Sequence, residues 1–516
     1  MKHSLLVLFF SILLFDGLHA QKEANNWFFG VGVGFTWNTT RSYTATGVFG
    51  TTSNTTLTGL PTLVSGSPMN TSEGCFSISD EDGNLLMFSD GMRIWNKNMD
   101  LMPNGSGLTG HASSAQSGII IPYPGSSTKY IAFTLGYEGQ GNLSYSVVDM
   151  ALDSNKGDVV SGQKNIVLTG ASGVLSESVT AIRHSNREDF WIVAPGRGPS
   201  TYLNVWKVAD SGVQVARHSV IGLTGSTITN TPAGYIRSSP DGKNVAWGCG
   251  REGYLYLADF DNSTGMLSNI KRRDFPVPPA AGYLYGIEFS ISGKYLYAST
   301  TAWTTLSANG ASLSVFDFSD LLSNPSVAPI WTHQFPSVVT NGTTTHFSTI
   351  TMAPDGRIYF GKFLSPNLYL IDNPEDPQNI RIYELVDFLG TGIFRLGLPT
   401  FVASWWEINE IETDPVLPTC INNEITFSIS ISSGSGINAI TKVEWDFGDG
   451  SKAIDTDMTQ TFFTQRHRYD KPGNYVLTLT PYRNNGSEAT DKIKTLSVSI
   501  SRCIMPVNPN INIMGY

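Results

Sequence analysis

Short runs of alternating apolar and polar residues, punctuated by glycine, proline, asparagine and aspartate, fill most of this chain. A period of two over four to eight residues is the pattern of a half-buried strand. Three segments repeat one version of it: Tyr235-Ile236-Arg237-Ser238-Ser239-Pro240-Asp241-Gly242-Lys243, then Ile287-Glu288-Phe289-Ser290-Ile291-Ser292-Gly293-Lys294, then Ile350-Thr351-Met352-Ala353-Pro354-Asp355-Gly356-Arg357. Each reads as an apolar strand, a tight turn and a second strand, the second strands being Asn244 to Trp247, Tyr295 to Ala298 and Ile358 to Phe360. Looser copies run from Phe76 to Phe88, Ile119 to Phe133 and Ile182 to Val193.

A small residue opens each first strand: Gly74, Ser117, Thr180, Gly234, Gly286, Ser348 and Gly397, at intervals of 43 to 63 residues. That interval suits a four-stranded propeller blade with generous loops. Seven openings predict a seven-bladed β-propeller over residues 21–408. The last opening is followed only by Leu398 to Trp406 before a linker at 409–417. Its missing strands are expected from the other chain end, where Asn26-Trp27-Phe28-Phe29-Gly30 resembles Arg357-Ile358-Tyr359-Phe360-Gly361. Closing the ring in this way removes two exposed sheet edges.

The C-terminal part carries a different pattern. Trp445-Asp446-Phe447-Gly448-Asp449-Gly450 reads as a strand ending in a tight turn, and 17 residues later His467 begins a run through Tyr469 and Pro472-Gly473 to the alternating strand Tyr475, Leu477, Leu479. Together these motifs resemble the PKD domain, an immunoglobulin-like β-sandwich, over residues 418–501, with 502–516 as a tail. That resemblance implies a spacer or binding module. The fold class expected is all-β, a propeller followed by a sandwich. The first four hundred residues resemble WD40- and YVTN-like propellers. On Asn26 to Gly30, Gly110-His111-Ala112-Ser113-Ser114-Ala115-Gln116-Ser117 and Leu398-Pro399-Thr400-Phe401 they resemble secreted bacterial proteins that join a propeller to PKD modules, including surface proteins of bacteria with type IX secretion. Only about a dozen residues follow Cys503, so no sorting domain is expected there.

Composition agrees with a β-rich chain: of 516 residues, 51 are glycine, 11% are aromatic and only 15% are charged. The net charge of −10 and the absence of a basic stripe argue against nucleic acid as a partner. Lys2 and His3 precede the apolar run Leu5 to Phe15, and Leu18-His19-Ala20 resembles a cleavage site, so residues 1–20 read as a signal peptide. No other stretch is long and apolar enough to span a bilayer, and the mature chain is expected to be secreted or held at the cell surface. Eight Asn-x-Ser/Thr sequons occur, a number that turn-rich composition also generates by chance. Of the four cysteines, Cys420 and Cys503 bracket the sandwich and are the candidate disulfide, whereas Cys75 and Cys249 are expected to be buried free thiols.

Candidate chemistry is confined to the propeller. Residues at the starts of its innermost strands converge at one channel mouth, which groups Glu73, Gln116, Glu177, His346 and Arg395 as candidate ligand-binding residues for a sugar or a cation, or as the solvated lining of a water-filled channel. His111 lies in a polar loop that either contacts ligand or fixes the start of the strand after it. Asp446, Asp449, Asp80, Asp82 and Asn84 sit where turn capping explains them as well as calcium would. The glycine spacing of Gly356 to Lys362 imitates a phosphate loop, but Phe363 replaces the Ser/Thr that would hold magnesium. No Gly-x-Ser-x-Gly elbow, His-Glu-x-x-His pair or metal-ligand spacing occurs, so no catalytic or metal residue and no cofactor is assigned, a divalent cation at the mouth remaining the alternative. The expected function is recognition of a surface glycan or protein through a propeller face. The competing expectation is a hydrolase of the propeller lactonase or glycosidase type with acidic residues at the mouth.

Overall fold

The computed structural model describes residues 22–502, except 138–141, 187, 198–199, 216, 221–232, 251–252, 276–281, 303–310, 336–338, 341–342, 345–346, 407–411, 415–418, 432–439, 457–461 and 490–492. The expected signal peptide and Cys503 therefore lie outside the described residues. The fold is all-β, a propeller followed by an immunoglobulin-like sandwich. Helix is limited to short segments such as Phe318–Ser323.

The propeller sheets follow the sequence repeat. Cys75–Ser79, Leu85–Ser89, Arg93–Asn96 and Leu101–Ser106 form one antiparallel meander, and further meanders begin at Gly118–Pro122, Thr180–Arg183, Ile236–Ser238, Gly282–Phe289 and Phe347–Met352. The hairpin turns inside them are equivalent. Gly83, Gly242, Gly293 and Gly356 all take φ between 67° and 88°. Their amides donate to Asp80 O, Ser239 O, Ser290 O and Ala353 O respectively. Gly361 lies on the strand Ile358–Lys362, and a Cβ there would meet the Phe394 ring at 2.3 Å, so packing against that ring explains the phosphate-loop-like spacing.

The two ends of the propeller segment meet. Pro399–Thr400 runs parallel to Cys75–Phe76, while Val31 and Ile393 exchange backbone hydrogen bonds of 2.9 and 3.0 Å. Asn26–Phe29 pairs with the start of the long strand Val33–Phe49, which also pairs with Thr55–Leu63. The far end of that long strand, Thr46 to Phe49, adds a fifth strand to the last full meander beside Ile382–Leu385. Aromatic packing seals the junction: Trp27 lies 4.8 Å from Trp37, 5.7 Å from Phe401 and 6.1 Å from Tyr359, all buried.

The sandwich has two sheets. One orders Glu412–Asp414, Glu424–Ser430 and Phe462–Arg468; the other orders Thr419–Cys420, Lys494–Ser501, Gly473–Arg483, Ile440–Asp446 and Lys452–Asp455. Inward-facing Ile425, Phe427, Val443, Trp445, Leu477, Leu479 and Val498 fill the space between them. Asp446 and Asp449 behave as turn caps: their Oδ1 atoms accept from Gly448 N (3.0 Å) and Ser451 N (2.9 Å). Asp80 does the same for Asp82 and Asn84, at 3.1 and 2.8 Å.

Candidate functional site

The innermost propeller strands begin at one end of the axis, and crowding there explains the small openings. A Cβ on Gly74 would stand 2.1 Å from Ser117 N, and one on Gly397 2.0 Å from Glu73 O. With a small residue at the opening itself, the residue just before it faces its neighbours around the mouth. Glu73, Gln116 and Tyr285 all hold that position.

The loop from His111 to Ser117 is the centre of the arrangement. On one side Glu73 N donates to Ala112 O (2.9 Å) and Ser113 Oγ donates to Glu73 Oε1 (3.3 Å). On the other, Ala115 N donates to Glu177 Oε2 (3.1 Å) and Gln116 N to Glu177 O (2.9 Å). Two carboxyl side chains from neighbouring passages thus clamp one loop between them. The buried Tyr285 hydroxyl reaches Glu73 Oε2 from across the mouth, at 3.1 Å.

Gln116 is fully buried. Its Oε1 accepts from Ile236 N (2.8 Å) and its Nε2 donates to Ile236 O (3.4 Å). The axis-facing edge of an innermost strand has no neighbouring strand to bond, and this amide satisfies that edge in the way a ladder partner would. Gln116 therefore positions the loop rather than facing outward.

Burial, the nearby charge of Glu177 and incomplete compensation by the Tyr285 and Ser113 hydroxyls push the Glu73 carboxyl up to about 8. His111 is half-buried and stacks on Tyr137 with ring centroids 4.6 Å apart and planes 21° from parallel. Its Nδ1 accepts from Ser113 N at 3.0 Å, which fixes the ring and puts the remaining proton on Nε2 when the imidazole is neutral. Arg395 is half-buried, its guanidinium 5.7 Å from the Phe363 ring centroid. Phe363 packs against the cluster of Ala115, Tyr235, Tyr285 and Leu396, which belongs to the same mouth. His346 lies outside the described residues. Among the described residues no three His, Cys, Asp or Glu side chains form a group that could hold a metal ion.

After Pro399–Thr400 the chain turns through Ala403–Trp406, which lies against Thr180–Arg183 with Trp405 buried. Sequence reasoning identified the loop and both glutamates but passed over Tyr285 and Tyr137. Tyr285 carried a usable signal, since it precedes Gly286 as Glu73 precedes Gly74.

Residues 410–498 match the PKD domain family. No curated protein sequence matches the chain. Among solved structures, the chain is similar to the β-propeller domain of Cps50 (Swd1) from Myceliophteria thermophila, at 10% identity and a TM-score of 0.36, covering 70% of this chain and 99% of that one. It is also similar to the periplasmic gluconolactonase PpgL of Pseudomonas aeruginosa, at 11% identity and a TM-score of 0.35, covering 90% and 97%. A third similarity is to the extracellular domain of a one-component system from B. thetaiotaomicron, at 12% identity and a TM-score of 0.33, covering 93% of this chain and 57% of that one. No helix among the described residues is long and apolar enough to cross a membrane.

Proposed function

We propose that this chain is an exported, non-enzymatic binding protein that takes a glycan at the open mouth of its propeller, with the PKD sandwich as spacer or second contact. In this reading residues 1–20 are a signal peptide and residues 21–408 close as seven blades, the last built from both chain ends. The sandwich follows, and its strand Glu412–Asp414, paired with Thr426 to Ser428, falls within the stretch 409–417 expected to be a linker. The observation that carries the reading is the His111–Tyr137 stack beside the Glu73, Ser113 and Tyr285 hydrogen-bonding groups. An aromatic face flanked by a few convergent polar groups suits a pyranose ring, whose C–H face packs on the aromatic while its hydroxyls are bonded at the edge. Affinity electrophoresis of the full chain and its H111A variant in gels containing a panel of soluble polysaccharides tests it. Retardation by at least one polysaccharide, weakened in H111A, supports glycan recognition; no retardation by any refutes it.

One observation favours a second reading, a hydrolase. A carboxyl held protonated near neutral pH beside a second carboxyl is the arrangement of a general acid with a partner base. Turnover of lactone or aryl-glycoside substrates by the full chain, abolished in E73Q, would replace the binding reading with this one.

A further inference from the structure

The Arg395 guanidinium lies at the mouth with no neutralising partner among the described residues. Its Nε is buried and has no hydrogen-bond partner, and no carboxylate pairs with it among the described residues. Other arginines of the propeller vary: Arg273, whose Nε is likewise buried and unpartnered, turns its Nη1 to the carbonyls of Pro325 and Val327. Arg357 is paired with both Asp355 and Asp372, and Arg237 with Glu288. An N–H buried without a partner costs on the order of 1–3 kcal/mol, more when it belongs to a charged group.

Its position ties it to the mouth. Leu396, the next residue, donates its amide to Ser72 O and packs in the cluster that contains Ala115 and Tyr285. Gly397 abuts the backbone of Glu73. The Phe363 ring lies 5.7 Å from the guanidinium carbon, and with Nε buried the terminal nitrogens of this half-buried side chain are its bonding surface. A planar fork of donors matches a carboxylate in two-point geometry.

We infer that the glycan recognised at this mouth bears carboxylates, with Arg395 bonding the carboxylate of a uronic acid residue and the His111–Tyr137 pair supporting a sugar ring. The inference rests on the glycan reading above and narrows it to acidic polysaccharides. Arg395 then sets specificity, and His111 serves any sugar.

The test compares polygalacturonate with its fully methyl-esterified form and with neutral dextran, at 0.15 M NaCl, by affinity electrophoresis and calorimetry on the full chain. Expected is binding of polygalacturonate at least tenfold tighter than of the ester or of dextran. R395Q should lose that preference, R395K should recover part of it, and H111A should weaken all sugars alike. Thermal melts matched to wild type establish that the variants are folded. Equal binding of acid and ester, or an R395Q variant that keeps the preference, overturns the inference and leaves the glycan reading standing. Binding of dextran alone does the same. Failure of wild type to bind any of the polysaccharides, here and across the wider panel, overturns both.

Discussion

His467 Nε2 lies 2.7 Å from Asp449 Oδ2, joining the strand Phe462–Arg468 of one sandwich sheet to the turn that follows Ile440–Asp446 in the other. The imidazole also stacks on Phe447, with centroids 4.2 Å apart and planes 14° from parallel. Burial pushes the Asp449 carboxyl up, but hydrogen bonds from Ser451 and His467 outweigh it and leave its pKa below the usual 3.8. A depressed acid stabilises the fold above its unfolded pKa, and that stability is lost as pH falls through the folded value. Hydrogen exchange across Phe462–Arg468 should therefore accelerate below about pH 4 in wild type. In D449N it should already be faster at pH 7, corresponding to a loss of about 1–2 kcal/mol. Unchanged exchange in D449N would show that the pair contributes nothing.

Glu73 titrates in the opposite sense. Its folded pKa of about 8 stands above the usual 4.5, so the folded state holds a proton that the unfolded chain has released across that interval. Stability supplied by the protonated form is complete below about pH 4.5 and is lost progressively up to about pH 8. E73Q keeps the shape of the protonated side chain and cannot ionise. Its melting temperature should exceed that of wild type at pH 8 by the equivalent of on the order of 2 kcal/mol, with the two converging near pH 5. Parallel melting curves across that range would refute the assignment.

Gln116→Ala should be among the most damaging single changes in the propeller that leave no large cavity. It strands the buried N–H and C=O of Ile236 together, at about 1–3 kcal/mol for each group. Q116E, which keeps the acceptor but replaces the Nε2 donor to Ile236 O, should fall between Q116A and wild type at pH 5 and approach Q116A at pH 8. Chemical denaturation followed by tryptophan fluorescence measures both.

Cys420 is disulfide-bonded, and its strand Thr419–Cys420 runs parallel to Ile500–Ser501. Cys75 and Cys249 are buried and form no disulfide. Pairing of Cys420 with Cys503 would close a loop of about 80 residues, worth roughly 4–5 kcal/mol by chain entropy less any strain. Non-reducing peptide mapping should recover the two in one linked fragment. C420S should lower the melting temperature of the sandwich, and reductant should have no further effect on that variant. Recovery of Cys503 as a free thiol would exclude the pairing.

The repeat was legible because it is imposed by sterics. Openings such as Gly74 must be small where innermost strands crowd the axis, and turns such as Ser239 to Gly242 need positive φ, so both leave residue-type marks at a fixed interval. The sandwich was legible for a related reason, since Phe447, Asp449 and His467 meet at one turn, while Trp445 fills the core between the sheets. The roles of residues at the mouth were less so. Gln116 and Glu177 look from sequence like outward ligands beside Glu73, yet Gln116 bonds a backbone 120 residues away. Nothing in its local sequence distinguishes a residue that caps a distant strand edge from one that faces solvent.

Ring closure sets an order of events during synthesis. The strand Asn26–Phe29, which holds Trp27, Phe28 and Phe29 with almost no exposure when folded, leaves the ribosome first. The strand Pro399–Thr400, which closes the ring beside Cys75–Phe76, and the Phe401 ring that packs on Trp27 are made some 370 residues later. Trp37, Phe35 and Phe88 reach these rings early, but Tyr359, Phe394 and Phe401 arrive only at the end, so for most of that interval the aromatic cluster is half built. Such distant pairing slows folding and leaves a sticky strand exposed. Ring closure is therefore the step that a holding factor, or export in an unfolded state, would protect.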